Sequence, residues 1–134
     1  MGAAGSDLRE RLEHDLRQSA ETDPWAMGEP VQDPPGLEGV YVPVLEHGGL
    51  ASYLPCPESE QPEGVISISA HLLQELIMDD RTGPLVALDA WPRCPHHEHA
   101  LLPTTVDGLA SWTCPDDESV RWRIGDLAQA SAAE

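Results

Sequence analysis

The chain has 134 residues, a length that suits one compact domain with tails, and it sets 24 acidic residues against 7 basic ones for a formal net charge of −17. That charge repels phosphate and argues against DNA or RNA as a ligand; a basic protein partner fits the field better, beside the plainer reading of charge as solubility. No apolar run is long enough to span a membrane, three cysteines cannot all pair into a secreted disulfide framework, and no signal-like start is present, so the expectation is a cytoplasmic protein.

The opening Met1-Gly2-Ala3-Ala4-Gly5-Ser6 matches the spacing of a myristoylation site only formally, because small residues are common at an N-terminus. Residues 7–20 read as a helix, with Asp7 as N-cap and Glu10 reaching back to close a capping box. Leu8, Leu12, Leu16 and Ala20 make one thin apolar stripe on a charged rod. A helix this short is marginal alone, so it either frays against the domain or docks on a partner. Leu8, Leu12 and Leu16 are the candidate partner-binding residues. Residues 21–36 read as a Pro-rich acidic linker, with Trp25 and Met27 as anchors to a core or as a short recognition motif.

The folded region is expected to begin near Leu37. Val40, Val42 and Val44 alternate as a half-buried strand requires, and Pro43 argues for an edge position because it cannot donate to a ladder. His47-Gly48-Gly49 turns the chain, and Leu50 to Leu54 returns as the second strand of a hairpin. Val65 to Ile68 reads as a short strand. Ser69 then caps a helix at about 70–80, with Leu72, Leu73, Leu76 and Ile77 as its buried face. Asp79 and Asp80 fall at the end where the helix dipole disfavours anions. Gly83 supplies a left-handed stop, and Leu85 to Leu88 is another apolar strand.

The densest chemistry is in Cys94-Pro95-His96-His97-Glu98-His99. Cys94 and His97 form C-x2-H, and Cys114 with Asp117 repeats the shape as C-x2-D, with sixteen residues between His97 and Cys114. Paired two-residue knuckles at such a spacing read as a zinc site. Ala100 to Val106, the turn Asp107-Gly108 and Leu109 to Thr113 read as a hairpin, followed by a third strand through Val120, Trp122 and Ile124. Arg121 and Arg123 share the other face and read as solvated rather than as a nucleic-acid contact.

This order of knuckle, strand, turn, strand, knuckle and strand resembles a zinc-ribbon domain over roughly residues 91–127. The Lys-free, Ala-, Gly- and Pro-rich composition also resembles that of small acidic proteins from GC-rich bacteria. By analogy with the ribbon, Cys94, His97, Cys114 and Asp117 occupy the four ligand positions. His99 and Cys56 are alternatives for the fourth, because Asp is uncommon in closed structural zinc sites. A ribbon that has lost its metal and stands on Trp91, Trp112 and Trp122 packing is the competing reading.

The expected fold class is therefore α+β: a small, mostly antiparallel sheet with one or two helices, then a zinc-ribbon-like β-hairpin unit. The units are 1–36 (helix and linker), 37–90 (α+β), 91–127 (ribbon-like) and 128–134 (tail). The expected role is protein binding or regulation, with zinc as the cofactor and no catalytic residue assigned. A metal-dependent hydrolase with an open Cys94, His97, Cys114 site is the alternative, and an acidic mimic of nucleic acid is a third. His96-x-Glu98 has the first half of a deaminase signature, but the later P-C-x-x-C is absent, as are nucleotide-binding glycine loops.

Overall fold

A computed structural model describes residues 3–18, 22–78, 91–95 and 99–127. These residues form two helices and two antiparallel sheets, an α+β architecture. Helix α1 spans Ala3–Leu16 and α2 spans Pro62–Met78. The first sheet is built from β1 (Trp25–Met27), β2 (Val31–Gln32), β3 (Val40–Glu46) and β4 (Gly49–Pro55). The second is β5 (Leu102–Val106), β6 (Leu109–Cys114) and β7 (Asp117–Arg123), with β6 in the middle.

Two tight turns set the registers. His47-Gly48 joins β3 to β4 and Asp107-Gly108 joins β5 to β6, and all four residues have positive φ. Two-residue turns of this hand match the right-handed twist of the strands they connect, and Asp-Gly is a favoured pair for them. Val42 and Val44 are fully buried, as their alternation requires.

Strand β3 is central rather than an edge. It pairs with β4 on one side and with β1 and β2 on the other. Pro43 is tolerated because it sits beside the gap between β1 and β2. Its carbonyl accepts the Gly28 amide at 2.8 Å, so its missing N–H faces the point where the chain leaves the ladder. The stretch expected as a linker thus supplies two strands, and Trp25 and Met27 are buried in the core.

Both helices begin earlier than the sequence suggests. Asp7 is inside α1, paired with Arg11 at 3.4 Å, and is not its cap. The 65–68 stretch is helical, because α2 begins at Pro62, where a missing N–H costs nothing. Ser69 lies mid-helix and donates from Oγ to the Pro55 carbonyl at 2.7 Å. The buried face of α2 includes Ile66, Ala70, Leu73, Gln74 and Ile77, while Leu72 is partly exposed. Asp79, Asp80, Gly83 and 85–88 lie outside the described residues.

The apolar stripe of α1 is turned inward. Leu8, Leu12 and Leu16 are each fully buried, in one continuous core that also takes in β1, β3, β4, α2 and the second sheet. The expectation that they face a partner is corrected: this chain's own core covers them. The reason lies at Asp15, on the same helix and equally buried. Its Oδ2 accepts the Trp112 indole N–H at 2.7 Å and the Gly125 amide at 2.9 Å, and its Oδ1 accepts the Leu127 amide at 3.2 Å. Gly125 has φ +105, and a Cβ there would lie 2.7 Å from Arg11 Cγ, so both the turn and the close approach require glycine.

A second tie joins the start of α2 to the same region. Glu63 accepts both Arg11 guanidinium nitrogens, at 3.1 and 2.8 Å, the Ala110 amide at 2.9 Å and Arg123 at 3.3 Å.

Asp15→Ala leaves three donors without their acceptor. A loss of about 3 kcal/mol or more is expected in urea unfolding followed by tryptophan fluorescence, and an unshifted midpoint would refute the role given to Asp15. Glu63 has its own pH signature. The Arg11 hydrogen bonds, helped by the Ala110 amide and by both arginine charges, hold its carboxyl at about 2, below the ordinary 4.5. The unfolded chain therefore takes up this proton more readily. The stability contributed is complete above 4.5 and is lost as pH falls toward about 2. Glu63→Gln is expected to flatten the fall in urea midpoint across that window.

Candidate metal centre

Residues 91–95 and 99–101 run antiparallel as the two arms of the first knuckle. The Leu101 amide donates to the Pro92 carbonyl at 2.7 Å, Arg93 and Ala100 form a bridge, and the Cys94 amide donates to the His99 carbonyl at 3.1 Å. Cys94 and His99 therefore stand opposite one another where the two arms meet. The second knuckle is the bend from β6 to β7, where Cys114 pairs with Asp117 across the turn residues Pro115 and Asp116.

These two bends bring three donors together. Cys94 Sγ, a ring nitrogen of His99 and Cys114 Sγ all lie within 4.8 Å of one another, so the group can hold a metal ion. Both cysteines are buried and His99 is half-buried. Cys114 Sγ is 3.7 Å from His99 Nε2. The other ring nitrogen, Nδ1, is 3.0 Å from the Ala100 carbonyl. A proton on Nδ1, donated to that carbonyl, leaves the Nε2 lone pair directed at the sulfurs, the usual way an outer partner orients a ligating histidine. The Asp116 amide donates to Cys114 Sγ at 3.4 Å, and Asp116 Oδ2 is 3.3 Å from His99 Nε2.

The expected ligand positions divide. Cys94 and Cys114 belong to the group, and His99, expected as an alternative for the fourth place, is its histidine among the described residues. His97 lies outside the described residues, with His96 and Glu98. Asp117 is in the neighbouring bend but outside the group, where its Oδ1 accepts the Ser119 amide at 3.0 Å and the Ser119 hydroxyl at 2.6 Å. Cys56 is elsewhere. Its amide donates to the Val40 carbonyl at 2.9 Å, and it lines a small cavity with Ala4, Asp7, Pro62 and Ile66. Burial, with the nearby Asp7 charge, pushes the Cys56 thiol up.

Gln74 is a support that spacing rules do not reveal. It is buried on α2, and its Nε2 donates to the carbonyls of Trp91, at 3.0 Å, and Leu101, at 2.5 Å. One amide thus pins both arms of the first knuckle. Its only sequence signal is a polar residue within the apolar face of a helix. Trp91 meets Trp112 edge to face, with centroids 5.4 Å apart at 75°, and fastens the same arm to β6.

No protein-family model matches the chain, and no curated protein or solved structure matches it either. The chemistry of the site therefore rests on its own geometry.

Gln74→Leu keeps most of the volume and removes both donors. It is expected to cost about 2 kcal/mol in urea unfolding and to weaken metal binding about tenfold in a chelator competition. Unchanged values in both measurements would mean that Gln74 does not hold the knuckle.

Proposed function

We propose that this is a small acidic protein-binding or regulatory protein whose C-terminal zinc-ribbon-like unit is tied by one zinc ion at Cys94, His99 and Cys114. The observation that carries the reading is the 3.7 Å separation of Cys114 Sγ and His99 Nε2 inside the three-donor group. Tetrahedral zinc with ordinary bond lengths sets sulfur and nitrogen ligands about 3.6 Å apart. Two thiolates and an imidazole form a donor set that suits zinc over calcium or magnesium. The bound ion would supply cross-linking of the two knuckles, and the residues around it would supply orientation: Gln74 holds the arms, and the Ala100 carbonyl sets the His99 tautomer.

The binding role draws support from composition. A formal charge of −17 produces a field that steers basic partners and turns away nucleic acid. The cytoplasm suits a chain with reduced thiols at its centre, and among the described residues no helix is long and apolar enough to cross a membrane. One observation favours a second reading. Among the described residues the group has three protein donors, the number a catalytic zinc site carries when water takes the fourth place, as in a metal-dependent hydrolase.

Elemental mass spectrometry of untagged, freshly purified protein tests the zinc. About one zinc per chain is expected, lost in Cys94→Ser, Cys114→Ser and His99→Ala, with chelation of the wild type lowering its thermal midpoint. Folded wild-type protein without metal would overturn the reading.

A further inference from the structure

We infer that the fourth protein ligand is Asp116, not Asp117, and that it completes a Cys2HisAsp set from the solvent side. The inference rests on the zinc reading and deepens it. Three observations carry it, and each concerns the bend between β6 and β7.

The first is distance. Asp116 Oδ2 is 3.3 Å from His99 Nε2. Nitrogen and oxygen ligands on tetrahedral zinc lie about 3.3 Å apart, so the carboxylate already stands one ligand edge from the imidazole. The second is backbone direction. The Asp116 amide donates to Cys114 Sγ at 3.4 Å, which aims the start of this residue at the sulfur and spreads the charge of a thiolate there. The third is the commitment of the neighbouring acid. Asp117 Oδ1 takes both the amide and the hydroxyl of Ser119, at 3.0 and 2.6 Å, which fixes it at the start of β7.

The four donors differ in setting. Cys94 and Cys114 are each only 4% exposed, whereas the Asp116 side chain is 67% exposed. The carboxylate stands outside the three-donor group, next to its histidine, and as an exposed side chain on a turn it would reach the ion from the solvent side by rotating about its own bonds. The four-ligand assignment replaces the open water position that a hydrolase needs.

The test uses the untagged full-length protein, stripped of metal under reducing conditions and titrated with Co(II), then with Zn(II) against a chromophoric chelator. Asp116 is an exposed turn residue, so Asp116→Ala is expected to fold, which its tryptophan emission checks. Wild type should give the visible absorption of tetrahedral cobalt and a thiolate charge-transfer band. Asp116→Ala should keep the charge-transfer band, shift the visible cobalt bands as water takes the place of the carboxylate, and bind Zn(II) at least about tenfold more weakly. Asp117→Ala should match wild type. An Asp116→Ala protein indistinguishable from wild type overturns the assignment alone, as does transfer of the loss to Asp117→Ala or His97→Ala. A wild type that binds neither ion removes the zinc reading and this assignment with it.

Discussion

Asp15 is a carboxylate with no exposure to water, and three donors from a distant part of the chain converge on it. Burying a carboxylate is costly, and here the burial pushes its pKa up despite the hydrogen bonds from Trp112, Gly125 and Leu127 that pull it down. The arrangement persists because the donors are themselves committed: an indole N–H and two amides in the interior need an acceptor as much as the carboxylate needs donors. Once α1 is fixed by this contact, the faces of its neighbours follow. Leu8, Leu12 and Leu16 must enter the core, and Trp112 is held at an orientation that presents its ring to Trp91. The first knuckle is thus positioned through two tryptophans and one acid more than a hundred positions from the end of the sheet it fixes.

Glu63 answers the same problem differently. Its partners include the Arg11 guanidinium, engaged through two nitrogens, and Arg123, so its pKa falls where that of Asp15 rises. The contrast separates two kinds of tie. Glu63 is an ion-pair junction between α1, α2 and β7, and it weakens when protonated. Asp15 is held by neutral donors, and for it ionisation is the costly state. Burial raises its folded pKa above the unfolded value, so its titration favours the folded chain at low pH and ceases to do so as pH rises through the raised pKa. In acid the two groups therefore pull in opposite directions, and the loss of the Glu63 pairs is the destabilising one.

The parts of this fold that were legible in the sequence are those governed by local chemistry. Asp107-Gly108 and His47-Gly48 specify their turns, and alternation placed Val42, Val44, Val120 and Ile124 inward correctly. What was not legible depends on partners far away. Val65-Ile66-Ser67-Ile68 is rich in β-branched residues and reads as a strand, yet Ile66 packs inward on a helix that begins at Pro62. A stripe of three leucines looks too thin for a core helix until Asp15 is known to be buried beside it. Pro43 marks an edge only if both flanks of its strand are continuous, and the flank it faces is interrupted at Gly28. At the site, the C-x2-H spacing drew attention to His97, which lies outside the described residues; among those described, the backbone pairing of Cys94 with His99 brings the later histidine to the sulfurs. Spacing rules describe tight turns and do not foresee that pairing.

The position of the three donors also decides what a metal there would stabilise. In a free-standing ribbon, folding and metal binding are one event, because little else holds the hairpin. Here Cys94 and Cys114 belong to the same buried cluster as Leu8, Val42 and Leu73. Strand β6 is tied to α1 through Trp112 and to α2 through Glu63, and the arms of the first knuckle hang from Gln74. Any ion that binds the folded arrangement and not the unfolded chain adds its binding free energy to the folded state of everything cooperative with that core. The two knuckles join residues that α2 and β6 have already brought together, so an ion between them mainly fixes the 94–99 loop against the β6–β7 bend. Its reach across the rest of the molecule runs through Trp91, Trp112 and Asp15, the same contacts that place the site.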